Sequence, residues 1–187
     1  MKFDISKYKH CFKTKENTAY FWHGRTTQNG IAYMGDNNAA KIAKQNGGKT
    51  LEMCMLEYKD ELMDAGVDID IRPDGTFSID YILAETQEEK DAFWQDCSEC
   101  FAEQAQGDVH VIEGTDLRYF ANQDRQYEFS NEEYYNNSIW NTTEHSTLAS
   151  NPDVTSVITV DAVKGEETGE VETFEREHTT YEETTEE

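Results

Sequence analysis

The stretch "FWQDCSECFAEQAQGDVHV", residues 93–111, joins a predicted helix to a predicted strand. Its apolar side chains recur every three or four positions, which is typical of a helix with one buried face: Phe93, Cys97, Cys100, Phe101 and Ala105. Thr86 and Glu89 have the spacing of an N-terminal capping box, so the helix is predicted to begin after Thr86 and to run to about Gln106. Gly107 ends the helix, and "DVHVIEG" is predicted to be a short buried strand.

The segments on either side continue the succession of helices and strands. "DVTSVITVDA", residues 153–162, alternates apolar and polar side chains and is predicted to be a strand. Towards the N-terminus, an N-cap at Asp36 or Asn37 and the stop at Gly47 predict a helix within residues 38–46, and apolar spacing predicts one within 50–66. A strand within residues 77–85 follows a turn at Pro73. The repeated order of helix and strand in the second half predicts a small parallel sheet with flanking helices.

These elements predict an α/β (α+β) fold with two lobes around an active-site cleft. The N-terminal lobe is expected to be helical, and the C-terminal lobe is expected to carry the small parallel sheet. Residues 1–163 are expected to form this domain. Residues 164–187 carry ten Glu against one Lys and one Arg, which is typical of a solvated acidic tail.

The charge of the chain limits its partners. Among 187 residues, 39 Asp and Glu oppose 16 Lys and Arg, for a net charge of −23. Such a field repels phosphate backbones, so we expect no nucleic-acid partner, and an anionic ligand needs a local positive group such as Arg25. No apolar run is long enough for a membrane span or a signal peptide. We therefore expect a cytoplasmic protein, or one exported by a leaderless route.

The four cysteines do not indicate a disulfide scaffold in a chain of this length: Cys11, Cys54, Cys97 and Cys100. Cys97 and Cys100 have the spacing of a redox pair or of half a metal site. No second close pair of Cys or His completes a metal-binding set in the sequence, and both residues lie in a predicted helix. Buried apolar thiols are therefore favoured, and no metal is expected.

The sequence contains no Gly-rich phosphate loop, nucleophile elbow or zinc-binding HExxH helix. What remains is a set of tryptophans and glutamates at separate places in the chain: Trp22, Glu52, Trp94, Trp140 and Glu144. Taken alone, each tryptophan is explained by core packing, and each glutamate is explained by solvation or by helix capping. Their order along the chain is more informative than any one of them.

Four short segments resemble, in the same order, the ADP-ribosyl cyclase family, the NAD glycohydrolases that include animal ectoenzymes and bacterial toxin domains. The resemblance covers about residues 20–160, and its motifs are "FWHGR" at 21–25, "TLE" at 50–52, the quoted stretch at 93–111 and "SIWNTTE" at 138–144. The family has a Ser four residues after the Trp of the third motif, here Ser98 after Trp94. Its catalytic Glu lies six residues after a Ser of the fourth motif, here Glu144 after Ser138.

The chain departs from the family pattern at three points. His23 and Gly24 stand where the family has a Ser, which puts one ribose or phosphate contact in doubt. Met53 replaces the Asp that usually follows "TLE". The disulfide set of the animal members is absent, as expected for a cytosolic or bacterial-type member.

The resemblance implies a role for each candidate residue. Glu144 is expected to stabilise the ribosyl cation, and Trp94 is expected to stack on the nicotinamide ring. Glu52 is expected to contact the nicotinamide amide or the ribosyl cation and to influence whether water or adenine captures that cation. The other candidates are expected to bind the substrate: Trp22, His23, Arg25, Ser98, Ser138 and Trp140.

The implied function is NAD glycohydrolysis through an oxocarbenium-like intermediate, with cyclic ADP-ribose as an additional product. NAD is the substrate, acceptance of NADP is open, and no cofactor is expected. A toxin or defence effector of this kind would need an inhibitor or immunity protein as a partner. Two alternatives stay open: a nucleotide sensor without turnover, and a non-catalytic acidic interaction protein or DNA mimic, which the net charge of −23 favours.

Overall fold

The molecule is built around one mixed β-sheet. The computed structural model describes residues 3–23, 25–28, 31–114 and 138–176, and for 25–28 and 31–34 it describes the backbone only. Among these residues, five strands form the sheet: β1 Ala19–His23, β4 Lys49–Thr50, β7 Gly107–Glu113, β8 Val154–Asp161 and β9 Glu167–Thr173. They lie in the order β4–β1–β7–β8–β9, in which the first four are parallel and β9 is antiparallel to β8.

Helices flank the sheet, and hairpins complete the described fold. The helices are α1 Gly35–Gln45, α2 Leu51–Glu57, α3 Lys59–Asp64, α4 Gln87–Glu103 and α5 His145–Ser150, with a π-helical turn at Trp140–Glu144 and 3-10 turns at Ile5–Lys7 and Lys9–Phe12. The hairpins pair β2 Arg25–Gln28 with β3 Ile31–Met34, and β5 Val67–Ile71 with β6 Phe77–Tyr81. The mostly parallel sheet with flanking helices confirms the predicted mixed α/β class.

Strand β1 is buried on both faces. Phe21 packs into the larger core, where its ring centroid lies 5.1 Å from that of Phe101. Tyr20 belongs to the opposite face and packs with Ile42 of α1 in a smaller core cluster. A strand that is buried on both faces carries apolar residues without alternation, so periodicity does not indicate a strand in "AYFWH".

The sheet draws on both halves of the chain, which differs from the predicted division into a helical N-terminal lobe and a sheet-bearing C-terminal lobe. Strands β7 and β8 lie where the sequence predicts strands, but β1 and β4 extend the sheet with N-terminal residues. Part of the predicted acidic tail also joins the sheet, because Glu167–Thr173 forms β9. Every residue of β9 is exposed, so its backbone pairs with β8 while its side chains remain solvated.

The helix predicted within residues 50–66 is two helices. Tyr58, at φ −109° and ψ 31°, separates α2 from α3. Thr50 caps α2, since its hydroxyl accepts a hydrogen bond from the Met53 amide at 3.2 Å. Thr86 caps α4 as predicted, and its hydroxyl accepts from the Glu89 amide at 3.2 Å.

Helix α4 ends at Glu103, before the predicted Gln106, and its last turn is bound by a buried asparagine. The side-chain amide of Asn151 donates to the carbonyl oxygens of Ala102, Glu103 and Ala105 at 3.0, 3.1 and 2.9 Å. The last carbonyl groups of a helix lack the usual intrahelical donors, and Asn151 supplies a donor to those of Glu103 and Ala105, while that of Ala102 also accepts from the Ala105 amide at 3.3 Å. Because Asn151 follows α5 directly, the same contacts join α5 to α4.

We expect Asn151→Ala to lower the free energy of unfolding by about 1–3 kcal/mol, because the carbonyl groups of Glu103 and Ala105 lose the donor that Asn151 supplies, and that of Ala105 is buried. Asn46→Ala is the matched control. Its amide also donates to two carbonyl groups, those of Ile42 and Gly165, at 3.1 Å, but its side chain is exposed. Denaturant unfolding of the two variants measures the difference, and an equal loss in both would contradict the role given to Asn151.

Candidate functional site

A cavity of about 320 Å³ lies at the carboxyl-terminal ends of β1 and β4. Trp22 and His23 line it from the end of β1, and Glu52 lines it from the first turn of α2, which follows β4 directly. After β1 the chain next enters the sheet at β4, on one side, whereas after β7 it next enters at β8, on the other side. Open α/β sheets bind ligands at the carboxyl ends of strands where the connections diverge in this way.

Glu52 is a buried carboxyl group of this cavity. Its residue is 5% exposed, and the indole Nε1–H of Trp22 donates a hydrogen bond to its Oε1 at 3.3 Å. Burial raises the pKa of Glu52 to about 7, and the nearby Asp36 carboxylate also raises it, while the hydrogen bond from Trp22 lowers it. Glu52 therefore changes its charge near neutral pH.

Glu144 ends the π-helical turn and reaches the same cavity. The His145 amide donates to the Trp140 carbonyl across this turn, which gives the wider π-helical ring that is frequent at functional sites. Glu144 is 8% exposed. Burial raises the pKa of Glu144 well above its usual range, and the Glu52 carboxylate adds to this effect.

The cavity has an acidic lining. Its described lining residues include three carboxyl groups, those of Asp36, Glu52 and Glu144, and neither a lysine nor an arginine. Because Glu52 and Glu144 repel each other's charge, they titrate as a pair and retain a proton to higher pH than an exposed carboxyl group does. A cation that enters this space favours loss of that proton, so the arrangement selects positively charged ligand groups.

Aromatic rings form the walls of the cavity: Phe21, Trp22, Trp94, Phe101 and Trp140. The ring of Phe21 contacts two others of this set, since its centroid lies 5.1 Å from that of Phe101 and 5.6 Å from that of Trp140. Trp22 and Trp94 are only half-buried, so part of each indole ring remains available to a ligand. The face of an indole attracts cations, which acts in the same direction as the carboxyl groups.

Hydroxyl and imidazole groups also line the cavity. Ser98 is 3% exposed and lies one turn after Trp94 on α4. Ser138 precedes the π-helical turn, and its Oγ accepts a hydrogen bond from the Asn141 amide at 3.3 Å. Burial lowers the pKa of His23 to about 4, so its imidazole is neutral at neutral pH and adds no positive charge to the cavity.

All but one of the residues predicted from the sequence meet at this cavity: Trp22, His23, Glu52, Trp94, Ser98, Ser138, Trp140 and Glu144. The exception is Arg25, whose backbone lies in β2 and whose side chain falls outside the described part of the chain. The individual roles of these residues in binding or catalysis stay predictions.

Asp36 is a lining residue that sequence analysis did not find. It lies in the first turn of α1, directly after Gly35, whose φ is +63°. Its Oδ1 accepts a hydrogen bond from the amide of the next residue, Asn37, at 2.8 Å. In the sequence it resembles an ordinary helix start, and only the position of α1 against the sheet brings it near Glu52.

None of the four cysteines lines the acidic cavity, and all four are buried as free thiols. Burial raises the pKa of Cys97 well above its usual range and raises that of Cys100 to about 11. Neither group is therefore a reactive thiolate at neutral pH, which confirms the interpretation of this pair as buried apolar thiols.

Among the described residues, His10, Cys11 and Glu61 hold possible metal-ligand atoms within 4.8 Å of one another. His10 Nε2 hydrogen-bonds to Glu61 Oε1 at 2.9 Å, so these two groups already satisfy each other. Burial raises the pKa of the Cys11 thiol to about 12, which opposes the thiolate that metal binding requires. The cluster does not line the acidic cavity.

The similarity of this chain to known proteins is distant. No protein-family model and no curated protein matches it. Among solved structures, it is similar to an Aplysia cyclase complexed with substrate NGD and product cGDPR, at 20% identity and a TM-score of 0.47. It is also similar to an ADP-ribosyl cyclase complexed with N1-cIDPR, at 18% identity and a TM-score of 0.47. A third similar structure is that of CD38, at 20% identity and a TM-score of 0.41.

These matches extend over only part of the other proteins. The two cyclase matches cover 84% of this chain and 56% of the matched chains. The CD38 match covers 80% of this chain and 51% of the CD38 chain. The chain thus spans about half the length of these structures. Within the described residues, no helix combines the length and the apolar character that crossing a bilayer requires.

We expect the stability of the protein to fall as the pH rises from about 4.5 to about 7. The pKa of Glu52 is raised from 4.5 to about 7 on folding, so across this window the folded state keeps a proton that the unfolded state releases. The stability that this proton contributes is fully present below the pKa of Glu52 in the unfolded state. It is lost as the pH rises through the pKa of Glu52 in the folded state. Denaturant unfolding at about pH 5 and about pH 8 should show a loss of about 1–3 kcal/mol from this group.

Glu52→Gln tests the assignment, because the amide does not titrate. The variant should lose a smaller amount of stability between the two pH values than the wild type does. Glu88→Gln, at an exposed position of α4, should retain the wild-type difference. An unchanged pH dependence in Glu52→Gln would show that the loss has another origin.

Proposed function

We propose that this chain cleaves the bond between nicotinamide and ribose in NAD and releases nicotinamide and ADP-ribose. The observation that carries the proposal is the meeting of Glu52 and Glu144 with the indole rings of Trp22 and Trp94 at one acidic cavity. The resemblance of the sequence to the ADP-ribosyl cyclase family points to the same residues from their order along the chain. In this proposal the cavity is the active-site cleft.

The cationic pyridinium ring of NAD suits an acidic cavity with aromatic walls. Its charge is attracted by the carboxylates and by the partly negative face of an indole ring. Trp94 is proposed to stack on this ring. Trp22, which donates to Glu52 at 3.3 Å, is proposed to form another wall of the cleft. Free nicotinamide is neutral and lacks this attraction, which favours its release.

Cleavage moves the positive charge from the ring to the ribose. The electrons of the C–N bond leave with nicotinamide, and the ribosyl group becomes an oxocarbenium-like cation. Glu144 is proposed to stabilise this cation and to hydrogen-bond to the ribose hydroxyls. Water then adds to the cation and gives up a proton to a carboxylate, whereas attack by the adenine yields cyclic ADP-ribose. Glu52 is proposed to influence the balance between these two products.

The diphosphate of NAD needs hydrogen-bond donors and a positive group, because the carboxylates of the cavity repel it. The hydroxyls of Ser98 and Ser138 are proposed to donate to it, and Trp140 is proposed to contact the substrate beside them. Only one residue separates Arg25 from His23, the last residue of β1, which lines the cavity. The guanidinium of Arg25 is therefore the proposed positive group. Neutral His23 is proposed to bind as a hydrogen-bonding group and not as a cation.

Unregulated cleavage of NAD would harm the cell that makes such an enzyme. If the protein acts as a toxin or defence effector, an inhibitor protein is the expected partner. A second candidate function is an acidic interaction protein, which the exposed, Glu-rich strand β9 favours. This alternative predicts salt-sensitive binding to basic partners without any contribution from Glu144.

We expect the purified protein to release nicotinamide and ADP-ribose from NAD, and Glu144→Gln to reduce the rate by about 100-fold or more, because the amide cannot stabilise the cation by its charge. Chromatography of the products measures the rate, and equilibrium binding of NAD should remain within about threefold of the wild type. Glu113→Gln is the matched control. Burial also raises the pKa of Glu113, but its side chain does not line the cavity.

Three results would separate the candidate functions. Binding of NAD without nicotinamide release would favour a nucleotide sensor. Neither binding nor release would favour the acidic interaction protein. Equal rates in Glu144→Gln and Glu113→Gln would contradict the role proposed for Glu144.

We expect binding of the stable cation 1-methylnicotinamide to release up to about one proton near pH 7, since the cation stabilises the ionised forms of Glu52 and Glu144. Its affinity should rise with pH through the folded pKa of Glu52, which is about 7. Titration calorimetry in two buffers of different ionisation enthalpy measures the proton release. Neutral nicotinamide is the matched control ligand and should release much less, and Glu52→Gln should reduce the release seen with the cation. Equal proton release with both ligands would contradict charge selection by the cavity.

A further inference from the structure

A second cavity, of about 580 Å³, lies at the opposite edge of the sheet. Thr18 lines it just before β1, Gln106 lines it just before β7, and Lys49 lines it from the first residue of β4. Because these strands are parallel, the three positions mark the amino-terminal edge of the sheet. The acidic cavity lies at the carboxyl-terminal edge, so the two sites are separate.

The charge of this second cavity is opposite to that of the molecule. Its described lining contains Lys13, Lys15, Lys49 and His10, and no aspartate or glutamate. Lys49 pairs with Glu57, and His10 pairs with Glu61. Lys13 and Lys15 form no ion pair with any described residue. In a chain with a net charge of −23, Lys13 and Lys15, which no described acidic group neutralises, give this hollow a local positive potential.

The side-chain hydroxyl of Thr14, which lies between Lys13 and Lys15 in the sequence, is a buried polar group of this cavity. Thr14 lines the cavity and is 6% exposed, and its Oγ1 has no hydrogen-bond partner among the described residues. Buried polar groups are normally hydrogen-bonded, so an unpartnered hydroxyl in a cavity wall indicates a missing acceptor or donor. An oxyanion between Lys13 and Lys15 supplies such an acceptor.

The remaining wall leaves room for a ligand and offers an aromatic ring. Gly47 has φ +76°, and a Cβ added to it would meet nothing within 4 Å, so this part of the wall opens onto free space. Tyr58 is half-buried and lines the cavity beside His10, with ring centroids 5.5 Å apart. Ammonium groups, a hydroxyl and an aromatic ring around one hollow form a combination that suits a phosphorylated small molecule.

We propose that this cavity binds the phosphate groups of a small phosphorylated ligand, with Lys13, Lys15 and Lys49 as the cationic contacts and Thr14 as a hydroxyl donor. The ligand is bound away from the acidic cavity. Lys49 opens β4, and the Thr50 cap that follows leads directly into Glu52. A ligand on Lys49 therefore contacts the same short segment that positions a carboxyl group of the acidic cavity. The proposal does not depend on NAD cleavage.

Titration calorimetry of the full chain with inorganic pyrophosphate tests this site. We expect one pyrophosphate to bind per chain and the affinity to fall with added NaCl, because exposed ammonium groups make the contacts. The double variant Lys13→Gln/Lys15→Gln should bind at least about tenfold more weakly, a loss of about 1.4 kcal/mol. The control variant Lys41→Gln/Lys44→Gln removes the same charge from exposed positions of α1 and should bind as the wild type does.

Thr14→Val tests the hydroxyl, since it retains the shape of the side chain. It should weaken pyrophosphate binding without lowering the thermal midpoint of the free protein, because the hydroxyl has no hydrogen-bond partner in the described part of the chain. Absence of pyrophosphate binding by the wild type would overturn the proposal. So would equal losses in the two lysine double variants, or equal affinity for sulfate and pyrophosphate, because each would indicate a general response to charge and not a built site.

Discussion

The pairing of β1 with a parallel neighbour on each side is the constraint on which the rest of the structure depends. Tyr20 lies in register with β4 on one side and with His110 of β7 on the other. The two rings stack at a centroid distance of 4.5 Å, and a Cβ at Gly48 would come within 2.3 Å of the Tyr20 ring. Glycine is therefore required where the chain turns into β4. With this register fixed, the ends of β1 and β4 lie side by side, and Trp22 meets Glu52.

The site combines two opposing demands on the same side chains. Burial of Glu52 and Glu144 brings their carboxyl groups into a space with little water, which strengthens their interaction with any cation. The same burial raises the pKa of both groups and makes the empty cavity less stable at neutral pH. A protein that is built only for stability has no use for such a pair, and perturbed titration of this kind is concentrated at functional sites. The Trp22 hydrogen bond moderates the conflict because it favours the ionised form of Glu52.

The sequence predicts those parts of the fold whose local pattern agrees with their environment. Helix α4 shows one apolar stripe, and β8 alternates, so both are predicted in place. Strand β1 is missed because burial on both faces removes alternation, and the break at Tyr58 is missed because apolar spacing continues through it. The resemblance to a family selects the residues that meet at the acidic cavity, whereas Asp36 depends on where α1 lies against the sheet. The basic cavity joins Lys13 and Lys15 to Lys49 across the sheet edge, and no local pattern in the sequence indicates that meeting.

The acidic residues of the chain also affect how the edges of the sheet interact with other molecules. An exposed edge strand offers unpaired backbone groups to another polypeptide, which is a route to aggregation. In the described sheet one edge, β4, is only two residues long, and the other, β9, carries Glu167, Glu170 and Glu172 with every side chain exposed. A second copy that approached β9 in order to add a strand would bring the same glutamates against these. Repulsion between like charges thus protects the longer edge from intermolecular strand addition, so the glutamates help to keep the sheet from growing beyond the single molecule.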